Sequence, residues 1–199
     1  MGIGGIKILS EYNKVRIIVA FGDISGFSHF CDSVTNDEVE YDPLMHAFDE
    51  LIEKTERETG YSFTDTGDGF MCTVDIEATY ISRKAIKIVL DLYRLFKRIE
   101  ALFNDHRKSS VCPEGFRIAL TAGYVKRKVK NDGRILLRGK SINQAHNFLD
   151  IARDYGLVAH ESFKILVNEE EAKKAGIEFM RIRNSKTVWG LKIQDERKR

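Results

Sequence analysis

Val15-Arg16-Ile17-Ile18-Val19-Ala20-Phe21 is an almost unbroken apolar, β-rich run that feeds directly into Asp23. A run without alternation is expected of a central strand covered on both faces. An acidic residue at the end of such a strand is costly to bury unless it is paired or holds a cation. A second acidic residue in a comparable frame, Asp68 in Asp65-Thr66-Gly67-Asp68-Gly69-Phe70, follows in the chain.

The remaining patterning fills in the layers. Asp42-Pro43 reads as a helix start, with Asp as N-cap and Pro at the first helical position. Leu44, Phe48, Leu51 and Ile52 give that helix an apolar stripe, and Gly60 ends it. Tyr61 to Val74 reads as a hairpin turning near Asp65 to Gly69. A long helix follows from Tyr80 to Phe103, its stripe broad enough to pack on a sheet rather than form a coiled-coil seam. Arg117 to Val125 is a strand, Lys126 to Leu137 a hairpin arm, and Ser141 to Arg153 a helix. Gly156 to Val167 is an apolar segment and Glu169 to Ala175 a short helix. Phe179 to Ile193 is a last hairpin turning near Asn184-Ser185. Hairpins interleaved with helices predict an α/β or α+β sandwich with a largely antiparallel sheet. No linker or repeat is visible, so residues 1–199 are expected to form a single domain.

Composition removes several function classes. A net charge of +2 gives no global field for nucleic acid or a membrane surface. Cys31, Cys72 and Cys112 are scattered and odd in number, which fits reduced thiols better than disulfides or a zinc site. No apolar run approaches membrane-spanning length, and a cytoplasmic protein is expected. The basic run from Lys126 to Lys130 reads as a solvated strand edge. The five histidines show no metal-ligand spacing. His146 is noted only as a neighbour of Asn143. Gly2-x-Gly4-Gly5 lacks the preceding strand of a dinucleotide loop, and Trp189 is read as packing.

Magnesium and manganese take oxygen ligands, usually one or two carboxylates plus substrate phosphates. Asp23 and Asp68 are candidate carboxylates, and the Ile24 carbonyl is a candidate third ligand. Backbone N–H groups at Ser25-Gly26-Phe27 are candidates for a phosphate tail. Asp beside Gly also caps turns very often, and either motif alone reads as well that way.

Taken together and in order, the motifs resemble those of the class III nucleotidyl cyclases, the adenylate and guanylate cyclase family. Phe21-Gly22-Asp23-Ile24-Ser25-Gly26-Phe27 is similar to the family's first-strand motif, and Thr64 to Phe70 to its metal-bearing hairpin. Arg117 to Val125 resembles its histidine-glycine or threonine-glycine strand. Arg138-Gly139-Lys140-Ser141-Ile142-Asn143-Gln144-Ala145 resembles its Gly-x-x-Val-Asn-x-Ala helix start. The resemblance implies a ferredoxin-like core and a head-to-tail homodimer with active sites at the interface. It also implies two divalent cations, Mn2+ or Mg2+, held by Asp23, Ile24 and Asp68. Asn143 would come from the partner subunit and orient the ribose, and Lys186 is a weaker candidate for the triphosphate. Helical spacing independently sets Ile142, Ala145, Leu149 and Ala152 on one face and Asn143 with Asn147 on another.

Two departures bear on the reaction. The family carries an arginine where this chain has Asn147, and losing a charged donor there is worth about two to four kcal/mol. Arg138, Lys140 and Arg153 are nearby replacements, and a weakly active or purely nucleotide-binding module stays open. The family's base-reading pair corresponds to Thr64 and Leu136, which fit neither the adenylate nor the guanylate pattern. That resembles the bacterial pyrimidine cyclases of antiphage Pycsar systems. The expectation is conversion of UTP, then CTP, to the cyclic monophosphate and pyrophosphate, with a separate effector protein reading the product. An adenylate cyclase making cyclic AMP is the alternative.

Overall fold

The computed structural model describes residues 12–34, 38–76, 79–108, 111–183 and 185–194. Gly2, Gly4, Gly5 and Asn184 lie outside them. Strand β1 (Asn13–Ser25) runs through the middle of a mixed, open sheet. It pairs antiparallel with β3 (Gly69–Asp75) on one side and β4 (Gly115–Val129) on the other. The sheet order is β2-β3-β1-β4-β6-β8-β7, with β5 (Ile135–Arg138) on the far part of β4. Here β2 is Ser62–Asp65, β6 Leu157–His160, β7 Ile177–Arg181 and β8 Val188–Ile193. Among these pairs only β4 with β6 is parallel. The largely antiparallel α/β sandwich predicted from the hairpins is what forms.

The unbroken apolar run of β1 has its expected cause. Ile18, Ala20 and Ile24 face a larger core with Phe70, Leu92, Leu95 and Ile99. Ile17, Val19 and Phe21 face a smaller one with Ala119, Val125, Ala145 and Val158. The larger core is covered by α2 (Glu38–Thr59) and α3 (Ile81–His106), whose broad stripe lies on the sheet as expected. Helix α2 begins at Glu38, so Asp42-Pro43 lie inside its opening turns and do not start it. Local capping chemistry marked Pro43 as the first helical position, and the helix is already formed five residues earlier.

A buried polar clamp ties α3 to the start of β2. The Asp91 carboxylate accepts from the Tyr61 hydroxyl at 2.7 Å, Lys87 at 2.6 Å and Arg94 at 3.1 Å. Burial, then the bond to Asp91, pushes the Tyr61 hydroxyl far above its ordinary pKa. Asp91→Ala leaves the proton of that hydroxyl without its acceptor and is expected to cost about 1–3 kcal/mol. The urea midpoint reports it.

On the smaller-core face the single helix expected over Ser141–Arg153 is two. Helix α4 (Lys140–Asn147) is followed by α5 (Leu149–Ala152), with Phe148 between them at φ −92, ψ −2. The Phe148 ring stacks on His160 of β6 at 5.0 Å between centroids, a tertiary contact that overrides the local spacing. Phe148 N–H still bonds the carbonyls of Gln144 and Ala145. Ala145, Leu149 and Ala152 therefore keep the shared buried face that their spacing predicts. Helices α1 (Phe27–Val34), α6 (Glu161–Lys164) and α7 (Glu169–Lys174) complete the set. Trp189 is half-buried on β8, with the Lys164 ammonium 4.1 Å over its ring.

Candidate active site

The two motif aspartates meet at one end of β1. Register pairs Asp23 with Gly69, so Asp68, one residue before the start of β3, lies beside Asp23. Ile24 N–H donates to the Asp68 carbonyl at 2.9 Å and fastens the two segments together. That approach leaves no room for a side chain at residue 69. A Cβ there would stand 2.1 Å from the Gly22 carbonyl oxygen and 2.9 Å from Asp23 Cα. The turn is shaped by Gly67 at φ +96 and by Gly67 N–H donating to the Asp65 carboxylate at 2.7 Å. The glycines of Thr-Gly-Asp-Gly are therefore what press one carboxylate against the other.

A cation of the chain itself completes the cluster. Arg117, opposite Asp23 on β4, donates from Nε at 2.7 Å and Nη2 at 2.6 Å to Asp23 Oδ2. Its Nη1 reaches Asp150 of α5 at 3.3 Å. The Arg117 and Asp23 side chains are 13% and 14% exposed, whereas Asp150 stands in solvent at 89%. Burial raises the Asp23 pKa above its ordinary 3.8; the Arg117 guanidinium opposes the rise and the neighbouring Asp68 adds to it. Arg117→Ala leaves two facing carboxylates with no cation. It is expected to cost the metal-free protein about 3 kcal/mol, read from its denaturant midpoint.

Two facing carboxylates need a proton or a cation between them. Asp23 and Asp68 fit a divalent ion on that ground, with open coordination left for substrate oxygens. Among the described residues no group of three or more His, Cys, Asp or Glu is gathered as a closed metal cage. Ile24 buries its side chain in the larger core.

The other predicted residues lie around this pair. Phe21 shares the Asp23 face of β1 and packs edge-on against His146 at 5.6 Å. Ser25 is buried, and its carbonyl accepts from Glu114 N–H at 3.0 Å. Gly26 turns at φ +73, and its carbonyl takes the Phe30 N–H as α1 opens at Phe27. Asn143 and Asn147 are both exposed on α4, four residues apart. Lys186 is exposed between β7 and β8. It precedes the first residues of β8, which places it at the opposite end of the sheet from Asp23.

Thr64 opens onto a cavity of about 540 Å³ walled by Met71, Thr73, Ile135, Leu137 and Ile142. Leu136 does not line it. Alternation along β5 turns Ile135 and Leu137 toward the cavity and Leu136 away. Arg127, read from sequence as part of a solvated basic edge, is instead turned into this cavity and ion-paired with Asp75. Arg117 and Arg127 were thus the residues that motif reading missed.

No protein-family model matches the sequence, and no curated protein matches it. Solved structures do. The adenylyl cyclase CyaB from P. aeruginosa superposes with TM-score 0.75 at 16% identity, covering 94% of this chain and 98% of that one. The guanylyl cyclase Cya2 gives 0.72 at 12% identity over 94% and 96%. The monomeric guanylyl cyclase domain of RhoGC from the aquatic fungus Blastocladiella emersonii gives 0.61 at 18% identity over 92% and 99%. Identities this low speak for architecture, and the chain has the fold of the class III nucleotidyl cyclase catalytic domain.

Proposed function

We propose that this protein is a metal-dependent nucleotidyl cyclase that converts a nucleoside triphosphate to its 3′,5′-cyclic monophosphate and pyrophosphate. The observation that carries the reading is the Asp23–Asp68 carboxyl pair at the strand ends, backed by Arg117, within a cyclase-type fold. In the reaction the ribose 3′-oxygen forms a bond to the α-phosphorus while the bond to the β-phosphate oxygen breaks. The 3′-hydroxyl proton passes to solvent and pyrophosphate leaves. Two divalent cations, Mn2+ or Mg2+, would acidify that hydroxyl and neutralise charge on the departing group.

Asp23, Asp68 and the Ile24 carbonyl would hold the ions. Arg117, whose guanidinium grips Asp23, would hold that carboxylate in position beside Asp68. Backbone N–H groups where α1 opens after Ser25, Gly26 and Phe27 offer a further anion contact. Asn143 is assigned to the ribose and Lys186 to the triphosphate of a site shared with a second copy. Asp23 and Lys186 occupy opposite ends of one sheet, so a head-to-tail pair brings the ends of two chains together. Val129 and its cross-strand partner Ile135 are more than half exposed on β4 and β5 and suit such a contact. The mixing test is direct. Asp23→Ala and Asn143→Ala proteins are each expected to be inactive, and a mixture to recover up to about a quarter of wild-type activity through exchanged subunits. No recovery despite demonstrated exchange would refute the shared site.

The base is a separate matter. Thr64, with one hydroxyl, supports a pyrimidine, UTP before CTP, as in antiphage cyclases that signal to a separate effector. Leu136 no longer supports it, because that side chain turns away from the cavity. The likeness to an adenylyl cyclase leaves cyclic AMP the better supported product.

A further inference from the structure

The cavity beside Thr64 contains an ion pair that no motif announces. Asp75 lies on β3 and Arg127 on β4, with β1 between them, and both line the cavity. Arg127 Nη1 donates to Asp75 Oδ2 at 2.8 Å, and Nη2 donates to Oδ1. The pairing is bidentate and fixes the plane of both groups. Arg127 Nε is buried and meets no acceptor. That Nε is closed off by protein, so a ligand would meet instead the second N–H of each Nη, which Asp75 leaves unused. The Asp75 side chain is about half exposed, at 56%, and a carboxylate has lone pairs beyond the two that Arg127 takes. Lys84, also on the cavity wall, donates to the Asp75 backbone carbonyl at 2.7 Å, which leaves the carboxylate oxygens to Arg127 and to a ligand. The rest of the wall is mixed: Met71, Ile135, Leu137 and Ile142 suit the faces of a flat ring, and Thr59, Ser62, Thr64 and Thr73 add hydroxyls.

We infer that Asp75 and Arg127 read the edge of the nucleobase, at the end of the cavity away from Thr64. The inference rests on the nucleotide-site reading given above. A carboxylate beside a guanidinium N–H presents an acceptor next to a donor. That is the complement of a base edge carrying an N–H beside a ring nitrogen or a carbonyl. Thr64 adds a hydroxyl that serves as either partner. Because Arg127 keeps Asp75 ionised, by its hydrogen bonds first, the acceptor cannot turn donor near neutral pH. All four bases carry a donor beside an acceptor, exocyclic donor first in adenine and cytosine and ring donor first in guanine and uracil, so the pair separates them by that order at a fixed ring position.

The test is equilibrium binding of the α,β-methylene analogues of ATP, GTP, CTP and UTP, which cannot release pyrophosphate, with manganese present. Calorimetry on the full chain gives four dissociation constants, and inorganic tripolyphosphate is the base-free control. The wild type is expected to separate its tightest from its weakest analogue by at least about tenfold. Asp75→Asn, whose amide both donates and accepts, is expected to compress that spread to about threefold or less, with tripolyphosphate binding unchanged. Arg127→Lys keeps the cross-strand charge but lacks the planar pair of Nη donors. It is expected to compress the spread likewise, with a wild-type thermal midpoint confirming that the strands still hold. An unaltered spread in both folded variants overturns the inference, as does a wild type that binds all four analogues alike or none. Selective binding with no cyclic product from the natural triphosphates would instead sink the cyclase reading and leave the base-reading pair standing.

Discussion

Asp68→Asn is expected to abolish turnover, by a factor on the order of a thousand or more, while making the metal-free protein more stable. Asp68 stands beside a buried Asp23 whose pKa is raised by burial, with Asp68 adding to the rise against the pull of Arg117. Removing the Asp68 charge relieves a repulsion of about 1 kcal/mol in a partly buried setting. The pH dependence has a definite sign. Asp23 holds its proton more tightly folded than unfolded, so its contribution is fully present below its unfolded value near 3.8. It is lost as pH rises through the raised, folded-state value. Metal-free wild-type protein should therefore lose thermal midpoint as pH climbs from just below 4 through that window, and Asp68→Asn should lose less. Adding manganese at neutral pH should raise the wild-type midpoint and leave the variant nearly unmoved. Equal manganese shifts in both proteins would remove Asp68 from the metal site.

Gly69→Ala should be among the most damaging single-methyl substitutions in the chain, costing more than about 4 kcal/mol. The obstacle is backbone, not a mobile side chain. The added carbon would sit 2.1 Å from the Gly22 carbonyl oxygen, between the two strands that present the aspartates. Relief requires β1 and β3 to separate near their ends, which also parts Asp23 from Asp68. Loss of stability and loss of manganese binding should therefore appear together. Gly133→Ala serves as the comparison: it takes a positive φ of 81 on an exposed turn with nothing within 4 Å. It should cost only about 1 kcal/mol of backbone strain and leave metal binding intact.

What was legible in the sequence was what depends on local pattern. The Val15–Phe21 run could only be a strand buried on both faces, and the α3 stripe could only lie on a broad apolar surface. The Asp23 and Asp68 frames carried their own glycines, which is why two residues 45 apart in the chain could be set together before any coordinates. What escaped were facts of pairing and parity. Arg117 meets Asp23 across 94 residues of sequence, and nothing in either segment announces the register. Leu136 and Leu137 differ by one step along β5, and one step exchanges the two faces of a strand. Arg127 was hidden among neighbouring lysines, because inward and outward positions of a twisted hairpin are not marked by composition. The break at Phe148 was decided by packing beyond the reach of capping rules.

A cyclase is identified by what it makes. Purified wild-type protein incubated with manganese and ATP, GTP, CTP or UTP separately should yield a 3′,5′-cyclic monophosphate and equimolar pyrophosphate from at least one of them, identified by mass. Asp68→Asn protein of the same fold should yield neither. Absence of a cyclic product from all four nucleotides with the folded, metal-loaded wild type, or undiminished product from Asp68→Asn, would contradict the account.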